Sequence, residues 1–252
     1  MFKKILLGLL LFVFAAAAFT SYNARPQAIL ARLAGKDIAG ASELSYRIYL
    51  LGLVPAGKAI FYLPEEKNTG TDAFSMLVSA RTLRYFCALF SAQAQMQSII
   101  DPHTLNPQLF RQTIAISGKP ELYREALYDQ KRNILTVAGV ERQIYPDTQD
   151  PLSAIYRIMR MGLLAGNSFE MSLNNNHKNY LLSAQVNEKE ISALGKKFPL
   201  AVVKAKIARR GKSPYHQSQI TMILLKGRPN IPVLIRVFAG GMVIKAKLTD
   251  IK

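Results

Sequence analysis

From residue 44 onward the chain alternates apolar and polar side chains. Leu44, Tyr46, Ile48 and Leu50 are interleaved with Ser45, Arg47 and Tyr49, the period-two signature of a half-buried strand. Gly52 to Gly57, with Pro55, supplies a turn, and Ala59, Phe61 and Leu63 resume the alternation, so a hairpin is expected. Pro64 to Asp72 reads as a polar loop. Ala73 to Leu83 reads as a strand, with helix as its alternative. Further strands are expected at Leu109–Ser117, Leu122–Tyr128, Ile134–Val137, Ser168–Leu173, Tyr180–Asn187, Phe198–Ala208, Gln219–Leu225, Ile231–Phe238 and Met242–Thr249. Ala239-Gly240-Gly241 joins the last two as a hairpin turn. The aromatic-rich stretch Arg84–Ser91 fits no single period, and Ala92–Ile100 leads into the proline loop Asp101–Pro107.

One segment changes period. Asp150 can cap a helix, Pro151 suits its first position, and Leu152, Ile155, Tyr156 and Met159 recur at helical spacing until Gly162. Residues 23–41 read as a short helix or a flexible leader, weakened by Gly35 and Gly40. About ten strands at short intervals with one or two helices indicate a mainly β fold. The expectation is a curved antiparallel sheet or open β-barrel wrapped around the Asp150 helix.

The N-terminus sets the compartment. Met1-Phe2-Lys3-Lys4 is basic, and Ile5 to Phe19 is an uncharged apolar run of 15 residues. A membrane span needs about 20, whereas a secretory signal carries about 7–15 before a small-residue cleavage site. Ala16 and Ala18 fit that site, so residues 1–18 are read as a signal peptide, 19–42 as a leader and 43–252 as one domain. The alternative is an uncleaved inner-membrane anchor over residues 5–22. Either way the domain is expected in the periplasm, touching a membrane only through this segment.

Composition then narrows the partners. Half of the residues are hydrophobic, and 33 Lys and Arg face 16 Asp and Glu, a formal charge of +17. Such a field favours anionic partners. Outside the cytoplasm these are lipid head groups or acidic glycans, not nucleic acid. The densest basic cluster runs from Lys196 to Lys212. A lone cysteine, Cys87, excludes an intramolecular disulfide and reads as buried in its apolar surroundings. The histidines His103, His177 and His216 are far apart in loop-like sequence. There is no His-Glu-x-x-His, no Gly-x-Ser-x-Gly and no phosphate-binding glycine loop. No catalytic residue, metal site or cofactor is expected, and the chain reads as a binding protein and not as an enzyme.

Several segments resemble one exported bacterial family, the domain of unknown function 3108. They are Leu44–Phe61 with Tyr46, Gly52 and Ala56-Gly57; Asp101-Pro102 with Leu105 and Pro107; and Tyr128-Asp129. Asp150, Ser153, Ala154 and Tyr156 follow, then Ile231-Pro232 through Gly241 to Leu248. Together they span residues 42–250. The resemblance implies an envelope protein of Gram-negative-type bacteria. It also implies a sheet similar to the periplasmic lipoprotein carriers, in which an open barrel holds acyl chains over a helix. It carries over no catalytic residues. The family pattern has an Arg soon after the helix Tyr, and here both Arg157 and Arg160 follow Tyr156.

These readings converge on a carrier for an amphipathic anionic ligand, a lipid or lipid-linked glycan. Tyr46, Phe61, Phe110 and Tyr156 are candidates for an apolar wall, and Arg157, Lys204, Arg209 and Arg210 for the anionic end. The aromatics equally suit a filled core. The alternative function is a structural or assembly factor that docks on an envelope protein or cell-wall polymer.

Overall fold

The structure is a computed structural model that describes residues 26–33, 40–64, 73–85, 91–175, 177–211 and 217–252. The signal and anchor readings, Cys87 and His216 lie outside the described residues. The chain opens with α1 (Pro26–Leu33), β1 (Glu43–Leu50), β2 (Val54–Tyr62), β3 (Phe74–Thr82), β4 (Ala92–Ile100), β5 (Pro107–Ile116), β6 (Leu122–Asp129), β7 (Ile134–Val137) and β8 (Val140–Gln143). After α2 (Pro151–Arg160) come β9 (Ser168–Asn175), β10 (Lys178–Ala193), β11 (Lys196–Arg209), β12 (Ser218–Leu225), β13 (Ile231–Ala239) and β14 (Met242–Ile251). All fourteen strands form one sheet in the order β8-β7-β6-β5-β4-β3-β2-β1-β14-β13-β12-β11-β10-β9. The fold is the expected mainly β one: two meanders joined where the first strand pairs with the last.

Several turns follow from backbone chemistry. Gly240 and Gly241 both take positive φ, 57° and 83°, between the paired Ala239 and Met242, as a two-residue primed turn requires. At Gly57 a Cβ would lie 2.9 Å from the Arg81 carbonyl oxygen, so a glycine is needed for β2 to lie this close to β3.

Alternation gives the sheet an inner face. Tyr46 pairs with Leu248, Ile48 with Ala246, Ala246 with Ile235, Ile235 with Met222 and Met222 with Val203. α2 packs against β3, β4 and β9 and is buried along two stripes. Leu152, Tyr156 and Met159 join the core around Tyr46, Phe61 and Phe110, while Ala154 and Ile158 join Met171, Leu182, Val203 and Met222. The helix therefore separates two apolar clusters inside one curved sheet. α1 packs against β10, β13 and β14, and its Leu30 and Leu33 are buried in the first cluster. Part of the segment read as a leader is thus built into the core.

The two sheet edges approach each other along a seam. The Asn179 amide donates to the Gln143 carbonyl at 3.1 Å. Gln149 N–H donates to Ser172 O, and Asn174 N–H to Gln149 O, both at 2.8 Å. Arg210 stacks 4.0 Å from the centroid of the Tyr145 ring and donates to Ser172 Oγ at 3.4 Å. Side chains and single bridges thus bring the edges together, and the sheet stays open.

Candidate functional site

The four aromatic candidates fall in the core. Tyr46 and Tyr156 are 2 % and 1 % exposed, Phe61 and Phe110 8 % and 9 %. The Tyr46 and Phe61 rings meet tilted at 59° with centroids 4.9 Å apart, and the Tyr46 hydroxyl donates to the Pro232 carbonyl at 2.8 Å. Burial pushes that hydroxyl's pKa well above its usual value, so it remains a donor. The interior pocket beside Phe110 and Tyr128 has a volume of about 30 Å³ and is shared with Arg124 and His177. That is space for about one water, far too little for an acyl chain.

The four basic candidates separate. Arg157 on α2 donates to Asn106 Oδ1 at 3.1 Å. Arg210 is part of the seam, and Arg209 sits half-buried beside it at the end of β11. Lys204 is exposed mid-strand, roughly 20 Å along β11 from Arg210 at about 3.3 Å per residue. The aromatic and basic candidates therefore do not converge on one pocket.

An open groove of about 710 Å³ lies across β9 to β12. Register lines up two rows along it: Glu170, Ser183, Lys206 and Gln219, and beside them Ser168, Gln185, Lys204 and Thr221. Between these rows, Phe169, Ala184, Ala205 and Ile220 face the other side of the sheet, where Phe169 and Ile220 pack against the Met171–Met222 cluster. Glu170 accepts from Ser183 Oγ at 3.0 Å. Neither lysine has a carboxylate partner among the described residues, so the groove presents two unpaired cations against one acid. Of these residues, sequence reading had singled out Lys204.

A second polar constellation lies inside. Ser98, Asn106, Thr148, Gln149, Asp150 and Ser153 are all buried. The Asp150 carboxylate accepts from Leu152 N–H at 2.7 Å and Ser153 N–H at 3.1 Å through Oδ1, and from Ser98 Oγ at 2.6 Å through Oδ2. The Ser153 hydroxyl donates back to the Asp150 carbonyl at 3.2 Å and accepts from the Asp150 N–H at 2.9 Å, completing a capping box. Gln149 Nε2 donates to Asn106 Oδ1 at 2.6 Å, and Asn106 Nδ2 to Asp147 at 2.8 Å. Burial pushes the Asp150 carboxyl above the usual carboxylate range, against the opposing pull of Ser98 and the helix amides. Both of its oxygens are engaged and no solvent reaches them. The arrangement ties the α2 N-terminus to β4 and is closed off by burial. Among the described residues no cluster of His, Cys, Asp and Glu could hold a metal ion.

The family described as Protein of unknown function (DUF3108) matches residues 45–249. None of the curated proteins matches. A crystal structure of a beta-barrel-like protein of domain of unknown function DUF1849 from Brucella abortus is similar in fold. It has a TM-score of 0.57 and 11 % identity, with 85 % of this chain and 98 % of that one covered. A DUF1089 family protein from Pseudomonas aeruginosa covers 72 % of this chain and 90 % of its own, at a TM-score of 0.40 and 11 % identity.

Proposed function

The chain belongs to the DUF3108 family, and we propose that it is a non-catalytic binding protein of the cell envelope that holds an amphipathic anionic ligand on the outside of its sheet. The observation that carries this is the groove across β9 to β12. Its roughly 710 Å³ is within the range of a small-ligand site. It lines up Lys204 and Lys206 with Ser183, Gln185, Gln219 and Thr221 on one face of the sheet. The aromatic candidates Tyr46, Phe61, Phe110 and Tyr156 are spent on packing, and the pocket beside Phe110 holds about 30 Å³, which favours a site on the sheet surface. Export remains a reading of Met1–Ala18.

The test uses a fluorescent fatty acid as probe, titrated into the protein. Saturable binding is expected, and K204E together with K206E should abolish it. Absence of binding, or binding indifferent to both substitutions, would refute the groove. The same packing also favours a second reading, an assembly factor docking on an envelope protein. Crosslinking in intact cells distinguishes the two: a single protein adduct, with no lipid copurifying in native mass spectrometry, selects the assembly role.

A further inference from the structure

The pairing register brings together basic residues that are scattered in sequence. On the outer face Arg47 lies opposite Lys247 on one side and Lys58 on the other, and Lys58 lies opposite Arg81. Four adjacent strands, β14, β1, β2 and β3, thus carry one row of four cations, about 14 Å long at about 4.8 Å per strand. The neighbouring row adds Arg236 opposite Lys245. Like charges directly opposite each other destabilise a sheet. On β5 and β6, by contrast, Arg111 lies opposite Glu125 with a 2.8 Å ion pair. Among the described residues no carboxylate pairs with any of the six cations of the two rows. Burial, with Arg236 and Lys247 close by, holds the Lys245 ammonium below its usual value. A folded protein that keeps such repulsion uncompensated is shaped for an anionic partner.

A second feature adjoins the rows. The turn between β1 and β2 exposes Leu51, Leu53 and Val54, with Leu53 55 % exposed. Lys245 packs against Gly52 of that turn, and Lys247 lies 4.5 Å from the Tyr49 ring centroid. Cations beside an exposed apolar tip match the layering of a bilayer surface, where charge meets head groups and apolar side chains enter the acyl boundary. A soluble polyanion offers nothing to the leucines.

We propose that the outer face of β14, β1, β2 and β3 docks on an anionic phospholipid surface, with Lys247, Arg47, Lys58 and Arg81 on the head groups and the Leu51–Val54 turn at the acyl boundary. This contact is separate from the groove and from the N-terminal segment.

The experiment is cosedimentation of the full chain with vesicles of phosphatidylcholine, with and without phosphatidylglycerol. The N-terminal segment is common to all variants, so differences report on the face. Binding is expected to favour phosphatidylglycerol and to weaken with salt. Neutralising Lys58 and Arg81 together (K58Q and R81Q) should weaken it about 25-fold, from about fivefold per charge near the surface. L53S should weaken it as well. K204Q with K206Q, in the groove, should leave it unchanged. All of these side chains are exposed, and relieving the repulsion should keep or raise the melting temperature, which serves as the folding check. Equal binding to both vesicle types, or no change in K58Q and R81Q, would overturn the proposal. So would dextran sulfate binding that matches the vesicles and ignores L53S, since the partner would then be a glycan.

Discussion

Asp150 offers a sharp test of how the helix is held. D150A removes the N-cap acceptor, which costs about 1–2 kcal/mol. It also leaves the Ser98 hydroxyl, at 0 % exposure, without its 2.6 Å partner, a further cost of about 1–3 kcal/mol. The sum is about 3 kcal/mol. For a chain of this size that is about 6–12 °C in melting temperature. D150N keeps an oxygen for the α2 amides and should cost less than about 1 kcal/mol, since Asn is an equally good cap. The pH dependence has a definite sign. Burial raises the folded carboxyl's pKa above its unfolded value. Its contribution is therefore fullest below the ordinary Asp range, near about 4, and falls as pH rises from there through the raised value. The D150A penalty should shrink from acidic to neutral pH, and D150N should lack that trend. Urea denaturation at several pH values reads both. A D150A penalty under about 1 kcal/mol, or one that grows with pH, would refute the description of this carboxylate.

Two further outcomes test other parts of the fold. Y46F deletes the hydroxyl donated to Pro232 and leaves a buried carbonyl unpaired. A loss of about 1–2 kcal/mol is expected in denaturant titration, and an unchanged midpoint would argue against that bond. R210A removes the stack on Tyr145 and the bond to Ser172 that help hold the seam. Hydrogen exchange should quicken in β8 and β9 while the β1–β14 amides stay protected, and uniform acceleration would show that the seam is not a local feature.

Strand after strand was legible because alternation was strong. In β1, Leu44 and Tyr46 are buried while Ser45 and Arg47 are not, and the glycine pair at 240–241 announced the closing hairpin. The α2 start was equally readable, since Asp150 and Pro151 occupy the positions their chemistry favours. Where alternation used weak markers the reading failed. In β4 the inner residues are Ala94, Met96, Ser98 and Ile100 and the outer ones Gln93, Gln95 and Gln97, a regular pattern hidden by the small side chains of Ala and Ser. β10 runs to Ala193, beyond the expected Asn187, because Asn187 to Glu190 are all exposed and carry no period. β8 is four exposed residues held by its pairing with β7, the Arg132–Glu141 ion pair and the Asn179 bond to Gln143. Tyr46, Phe61 and Phe110 were correctly placed on strands and Tyr156 on the helix, but such positions alone could not distinguish a lined pocket from a filled core. Volume decides that, and volume depends on how far the sheet curls around α2.

Charge density along the chain and charge density in space are different quantities in this protein. The run from Lys196 to Arg210 looks concentrated in sequence, yet an extended strand spreads it over roughly 45 Å at about 3.3 Å per residue. It then serves three places: Lys197 pairs with Glu190 at 3.1 Å, Lys204 and Lys206 line the groove, and Arg210 closes the seam. Arg47, Lys58 and Arg81 meet through the β1-β2-β3 meander, and Lys247, from the other end of the chain, joins them only because the first strand pairs with the last. A period of two that sends Tyr46, Ala59, Ala80 and Leu248 inward sends the residues beside them outward. Each buried inner residue therefore fixes the side on which its basic neighbour stands. Shifting β1 by one residue would bury Arg47 and expose Tyr46. The packing around Tyr46 is thus also what arranges the cations outside, so loss of the Tyr46 packing and loss of the basic row should accompany each other in any variant that slips this register.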